Sequence, residues 1–199
     1  MSRRRTNLVF TDTSGAAFVS PSVVSDAQEA VQGGLTDAEK RANVVRLAFA
    51  GQPEQLERFC RAIDEVIPPG TIVVLRGSAV TGHRWKDQAP FDADGPGTSD
   101  LDLTLVGDEA VALFKPTGFF VPGVHSRPVS DEDPDIAPSL IPLREALMVM
   151  TGRPVNIQAS RDVVIQFRGG LLDQPFLTLI EKAGEAGGAG EGGRAGEAE

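Results

Sequence analysis

The chain has 199 residues, 41% of them hydrophobic and 24% charged, a balance that fits one soluble globular domain rather than two. No apolar run reaches the roughly 18–20 residues of a membrane span, and MSRRRTNLVF leads into Thr-Asp-Thr-Ser-Gly rather than an apolar signal segment, so a cytoplasmic location with no membrane contact is predicted. With 19 Lys+Arg against 28 Asp+Glu the net charge is −9, which disfavours a long nucleic acid as partner, and a single cysteine with two histidines leaves any metal to oxygen ligands.

Residues 1–35 lack a sustained period and are predicted to be an N-terminal extension. A helix is predicted from Thr36, where Thr36 and Glu39 form a capping-box pattern, to Gly51. A second starts at Pro53 and carries Leu56, Phe59, Cys60 and Ile63 at spacings of three and four before Pro68-Pro69-Gly70. Cys60 on that stripe reads as a core residue.

Thr71–Leu75 is short, β-branched and continuously apolar, the pattern of a strand buried on both faces, and it runs into Gly77-Ser78. In Asp100–Val106, alternation puts Leu101, Leu103 and Leu105 on one face of a strand and Asp100, Asp102 and Thr104 on the other. Five prolines between 115 and 139 predict a long surface loop. Ser139–Thr151 reads as a helix closed by Gly152, and Pro154–Gln158 as a strand with Val155 and Ile157 inward and Asn156 and Gln158 opposite. Asp162–Phe167 and Leu171–Ile180 are apolar segments of unassigned type, and residues 183–199, almost wholly Gly, Ala and Glu, are predicted to be a disordered tail. The body, residues 36–182, is therefore expected to be α/β (α+β), with a small mixed sheet flanked by helices.

Carboxylates two apart on a strand point the same way with Cα atoms roughly 6–7 Å apart and repel when ionised. A hard divalent cation relieves that repulsion and keeps waters or substrate phosphates in its remaining positions, so Asp100 and Asp102 are candidate ligands for Mg2+ or Mn2+. Gly77-Ser78, directly after an apolar strand, offers a sharp turn, exposed backbone N–H groups and a small hydroxyl, all suited to phosphate.

GSAVTGHR, residues 77–84, followed by TSDLDLTLV, residues 98–106, resembles the motif pair of the DNA polymerase β-like nucleotidyltransferase superfamily, particularly its minimal bacterial members. The resemblance covers roughly residues 53–158. It implies a nucleotidyltransferase-like fold, triphosphate binding by Gly77 and Ser78, and two magnesium ions on Asp100 and Asp102, the residues that would carry catalysis. Gly82 and Arg84 fall where such members have a glycine followed by a basic or polar residue, so Arg84 joins the phosphate-binding candidates. The implied activity is transfer of a nucleoside monophosphate from an NTP to an unidentified acceptor, protein or small molecule, with release of pyrophosphate.

Three features depart from that pattern. HRWKDQAPFDADGPG stands as an insertion between the motifs, and no helical domain follows to recognise a base or acceptor, leaving room for a protein partner or a homo-oligomer. The strand expected to supply a third carboxylate has Asn156 there, which can ligate through its carbonyl but cannot act as a base. Asp162, Asp135 and Glu145 are unranked candidates for the base, and a nucleotide- or partner-binding pseudoenzyme of the same fold is the alternative reading. The remaining residues of interest are His83 near the turn, His125 and Arg127 in the 115–139 segment, Trp85 and Phe91 flanking the insertion, and the acidic group Asp131, Glu132, Asp133 and Asp135. Asp92-Ala93-Asp94-Gly95 lacks the later ligands of a calcium loop and reads as a turn.

Overall fold

The computed structural model describes residues 34–172 and 174–184, together with a short antiparallel ladder of Phe10–Thr11 (β1) and Ala17–Phe18 (β2). Most of the predicted extension and tail therefore lies outside the described residues. Helix α1 spans Asp37–Ala48 and opens with the expected capping box: Thr36 Oγ1 accepts from the Glu39 N–H and the Glu39 carboxylate accepts from the Thr36 N–H. Helix α2, Pro53–Asp64, starts on its proline and buries Leu56, Phe59 and Ile63. Cys60 is half-buried against the same core, and that burial pushes its thiol pKa up.

Strand β3, Ile72–Arg76, ends at Gly77 and is followed by one turn of helix α3, Ser78–Thr81, which Gly82 stops at φ +86°. Strand β4 is Leu101–Val106, α4 is Asp108–Val111, α5 is Ile141–Thr151 and β7 is Val155–Ser160. The two unassigned apolar segments become helix α6, Asp162–Leu172, and strand β8, Phe176–Glu181.

The 115–139 segment is not the irregular loop its prolines predict. Phe119–Val121 (β5) and His125–Ser126 (β6) form a hairpin that joins the sheet, and Pro116, Pro134 and Pro138 each open a short 3-10 turn. Strands of two and three residues are too short to show a period, and they persist because β6 and Val129 complete the hydrogen bonding of the β7 edge.

The protein is thus a mixed α/β structure with six strands in the order β5-β6-β7-β4-β3-β8, antiparallel except for the parallel pair β4–β7. Helices flank the sheet. Leu101, Leu103 and Leu105, with Val73, Leu75, Val155 and Ile157, pack against Val44 of α1, Phe59 of α2 and Leu147 of α5 to form the main core. Burying each such leucine contributes roughly 1.5–3 kcal/mol. The second face is only partly covered: Ile165 of α6 packs on Val74 and Val106, while the remaining side chains of β4 and β7 there are polar. Among the described residues no helix is long and apolar enough to cross a membrane.

Candidate functional site

Register brings the polar side chains of the second face together. Asp102 of β4 stands opposite Arg76 of β3 on one side and Asn156 of β7 on the other, and Asp100 immediately precedes β4. The Asn156 amide Nδ2 donates to Asp100 Oδ2 at 2.6 Å and to Asp102 Oδ1 at 3.1 Å, so one amide bridges both carboxylates. Burial pushes the Asp102 pKa up, the charge of Asp100 adds to the rise, and the Asn156 hydrogen bond and the Arg76 charge act against it.

Gly77 has φ +83° and ψ −161°, a conformation only glycine adopts without strain. A Cβ placed there would lie 3.3 Å from Asp102 Oδ2, so the backbone of the turn runs against the carboxylate pair. Ser78 follows as the first residue of α3 and is largely buried. The turn is anchored from behind by Asn43 of α1, whose side-chain amide donates to the Val80 carbonyl at 3.0 Å.

A cleft of about 530 Å3 opens over this junction. Arg76, Gly77 and Asp102 form part of its wall, with Thr81 of α3, His83, Trp85 and Gln88 of the insertion, and Leu35, Gln174 and Pro175. Arg76 is the residue that sequence reasoning missed. Its Nε donates to Thr104 Oγ1 at 3.2 Å, and Gln158 Nε2 donates to the same hydroxyl at 3.0 Å. Burial lowers the Arg76 pKa to about 10, with the charge of Arg168 acting in the same direction and Asp102 against it, so the guanidinium remains a cation at neutral pH. The available signal was a charged side chain closing an otherwise apolar strand, one residue before the Gly-Ser turn.

Other candidates fall elsewhere. Arg84 is held by Asp87 and Asp94 within the insertion, and like Ser78 and Asp100 it is not among the residues lining the cleft. Burial lowers the His125 pKa to about 4, helped by the charges of Arg168 and Arg76 and opposed by a backbone hydrogen bond at Ala159; its Nδ1 pairs with the Ser160 hydroxyl, and its buried Nε2 has no hydrogen-bond partner among the described residues. Arg127 pairs with Asp133, and Arg144 with Asp131, so two members of the acidic group are engaged internally.

The three base candidates are apart from the carboxylates. Asp162 begins α6 two residues past the end of β7, and among the described residues it forms no group of three acids with Asp100 and Asp102. Glu145 is exposed on α5, and Asp135 adjoins Ile136; both elements belong to the main core on the opposite face of the sheet. Asp92 is a structural hub: it accepts from the Gly97 and Ser99 N–H groups and from Arg153 Nη1 at 3.0 Å, and Arg153 lies 4.6 Å over the Phe91 ring.

Among the described residues no group of three or more His, Cys, Asp or Glu is placed to hold a metal. The groups that could hold one hard cation are the Asp100 and Asp102 carboxylates, a donor set of the kind magnesium shares with substrate phosphates. Asn156 presents its NH2 rather than its carbonyl oxygen to them, and would become a ligand only after its amide turns over. No protein-family model, curated protein or solved structure matches this chain.

Proposed function

We propose that this chain binds a nucleoside triphosphate with Mg2+ or Mn2+ at the Gly77–Ser78 turn and the Asp100/Asp102 pair, and transfers the nucleoside monophosphate to an acceptor with release of pyrophosphate. The observation that carries the reading is the close approach of the Gly77 backbone to Asp102 Oδ2 in the wall of one open cleft. A phosphate-accepting turn and a carboxylate pair are useful together only to a ligand that is both a polyanion and a metal chelate. The likeness of GSAVTGHR and TSDLDLTLV to the motifs of the DNA polymerase β-like superfamily supports the same conclusion.

In this reading Ser78 and the turn bind the β and γ phosphates, and Arg76 adds a fixed positive charge beside them. Asp100 and Asp102 would hold the cation, which would supply charge neutralisation at the phosphates. The acceptor hydroxyl oxygen would bond to the α-phosphorus as the bond to the β-phosphate oxygen breaks, with pyrophosphate leaving and the acceptor proton passing to solvent.

A second reading, nucleotide binding without turnover, is favoured by Asn156, whose amide takes the place of a third carboxylate and hydrogen-bonds both acids. The test is label transfer from each of the four α-labelled NTPs, with magnesium or manganese and cell extract as acceptor, beside Asp100→Ala/Asp102→Ala. Transfer abolished in the double variant supports the enzyme. Metal-dependent NTP binding without transfer, lost in the variant, selects the second reading; neither binding nor transfer overturns both.

A further inference from the structure

The insertion that separates the two motifs builds one wall of the cleft. Arg84 N–H donates to the Ala89 carbonyl at 2.7 Å, Gln88 N–H to the Arg84 carbonyl at 2.9 Å, and Phe91 N–H to the Gly82 carbonyl at 2.9 Å. These bonds close a tight turn over residues 84–89, and the Arg84 guanidinium ties it to Asp87 and Asp94. At its base Phe91 is buried under Arg153, which Asp92 holds in place.

Trp85 stands on this fixed turn with 57% of its surface exposed, while lining the same cleft as Arg76, Gly77 and Asp102. Phe91, the other aromatic of the insertion, does the anchoring, so Trp85 is not needed for that purpose. An indole left in water at the mouth of a polar cleft has a flat apolar face available for stacking. Leu35 and Pro175 supply apolar surface to the same cleft. Gln88 beside it has a defined orientation: its Nε2 donates to the Trp85 carbonyl at 3.2 Å and to the Arg84 carbonyl at 3.4 Å, which leaves Oε1 as the acceptor to be satisfied.

We infer that Trp85 is the stacking platform for the nucleobase of the bound nucleotide, and that Gln88 Oε1 accepts from an amino group on that base. The inference rests on the nucleotide-binding reading above and names the part of the ligand that reading leaves unassigned. The phosphates lie at Gly77, Arg76 and Asp102, and the base at the insertion wall. A cleft of about 530 Å3 is within the roughly 300–1,000 Å3 range of small-molecule sites. Gln88 gives a direction of preference. Adenine, cytosine and guanine carry an exocyclic amine, whereas the one Watson–Crick donor of uracil is flanked by two carbonyl oxygens that Oε1 repels.

Trp85 is the single tryptophan of the chain, so its fluorescence reports the site directly. The experiment titrates the full-length protein with ATP, CTP, GTP, UTP and inorganic tripolyphosphate in magnesium, reading tryptophan emission and, in parallel, heat of binding. Saturable quenching by ATP, CTP and GTP, weaker binding of UTP, and tripolyphosphate binding that leaves emission unchanged are the expected results. Trp85→Ala should weaken nucleotide binding by about tenfold or more with tripolyphosphate affinity unchanged, and Trp85→Phe should restore part of the loss. Nucleotides that bind no better than tripolyphosphate, or nucleotide affinity untouched in Trp85→Ala, overturn the platform while leaving the phosphate reading standing. Equal binding of UTP overturns the role of Gln88. Failure of tripolyphosphate and nucleotides alike to bind overturns the underlying reading with the inference.

Discussion

Asn156 stands directly opposite Asp102 in the parallel register of β4 and β7, and its side-chain Nδ2 donates to Asp102 Oδ1 at 3.1 Å. The same amide reaches Asp100, so the two acids share one donor in place of a third acid. Asn156→Asp removes that donor and brings a third carboxylate to the pair. Like charges at hydrogen-bonding distance cannot all ionise without cost. Thermal stability without metal is expected to fall by about 1–3 kcal/mol, the penalty for losing a buried partner, and magnesium or manganese is expected to restore it. Melting curves with and without each cation check this; a variant that responds to the cations no more than the native chain contradicts it.

Gly77→Ala tests the turn. The alanine would have to hold φ +83° and ψ −161°, at a cost of about 1–3 kcal/mol, with its methyl 3.3 Å from Asp102 Oδ2. The expected outcome is a modest loss of stability by urea unfolding and a much larger loss of tripolyphosphate binding, because the strain falls on the backbone that would meet the phosphates.

The Asp92–Arg153 pair is the clamp of the insertion. Burial raises the Asp92 carboxyl, but hydrogen bonds from Arg153, Gly97 and Ser99 outweigh it and bring the pKa to about 2, below the unfolded value. Its contribution is therefore present above about pH 4 and is lost as pH falls towards 2. Asp92→Ala leaves the largely buried Arg153 without its carboxylate, and is expected to cost about 3 kcal/mol at neutral pH. Because the 82–99 loop loses its anchor, protease cleavage there should quicken. Urea unfolding and limited proteolysis provide the measurements.

His125 predicts a second pH dependence. Burial, then the charges of Arg168 and Arg76, lower its pKa to about 4, so the folded state favours the neutral ring. A histidine with a depressed folded pKa contributes fully above its unfolded value near 6.5, and that contribution is lost between there and pH 4. The native chain is expected to lose stability on the order of 3 kcal/mol across this window. His125→Phe, which retains an aromatic ring beside Phe120, is expected to flatten the profile. Urea midpoints at several pH values from 4 to 7.5 decide it; parallel slopes for both proteins would exclude His125 as the titrating group.

What the sequence by itself determined was local. The Thr36–Glu39 capping box, Pro53 at a helix start, Gly152 after a helix and the alternation of Leu101, Leu103 and Leu105 are set by contacts within one turn or two residues, and each is found where the pattern places it. The facing of Asp102 and Asn156 outward was legible for the same reason, since side chains alternate along any strand. Tertiary structure decided the rest. The β5–β6 hairpin exists because β7 offers it an edge, and the helix and strand of residues 162–181 depend on where Ile165 and Leu177 are buried. That Arg76 lies beside Asp102, that Asn156 spans two carboxylates, and that Trp85 joins their cleft while Arg84 turns to Asp87 and Asp94 follow from strand register and loop closure. The Arg76–Asp102 and Asn156–carboxylate relations join residues tens of positions apart, and no local propensity encodes them.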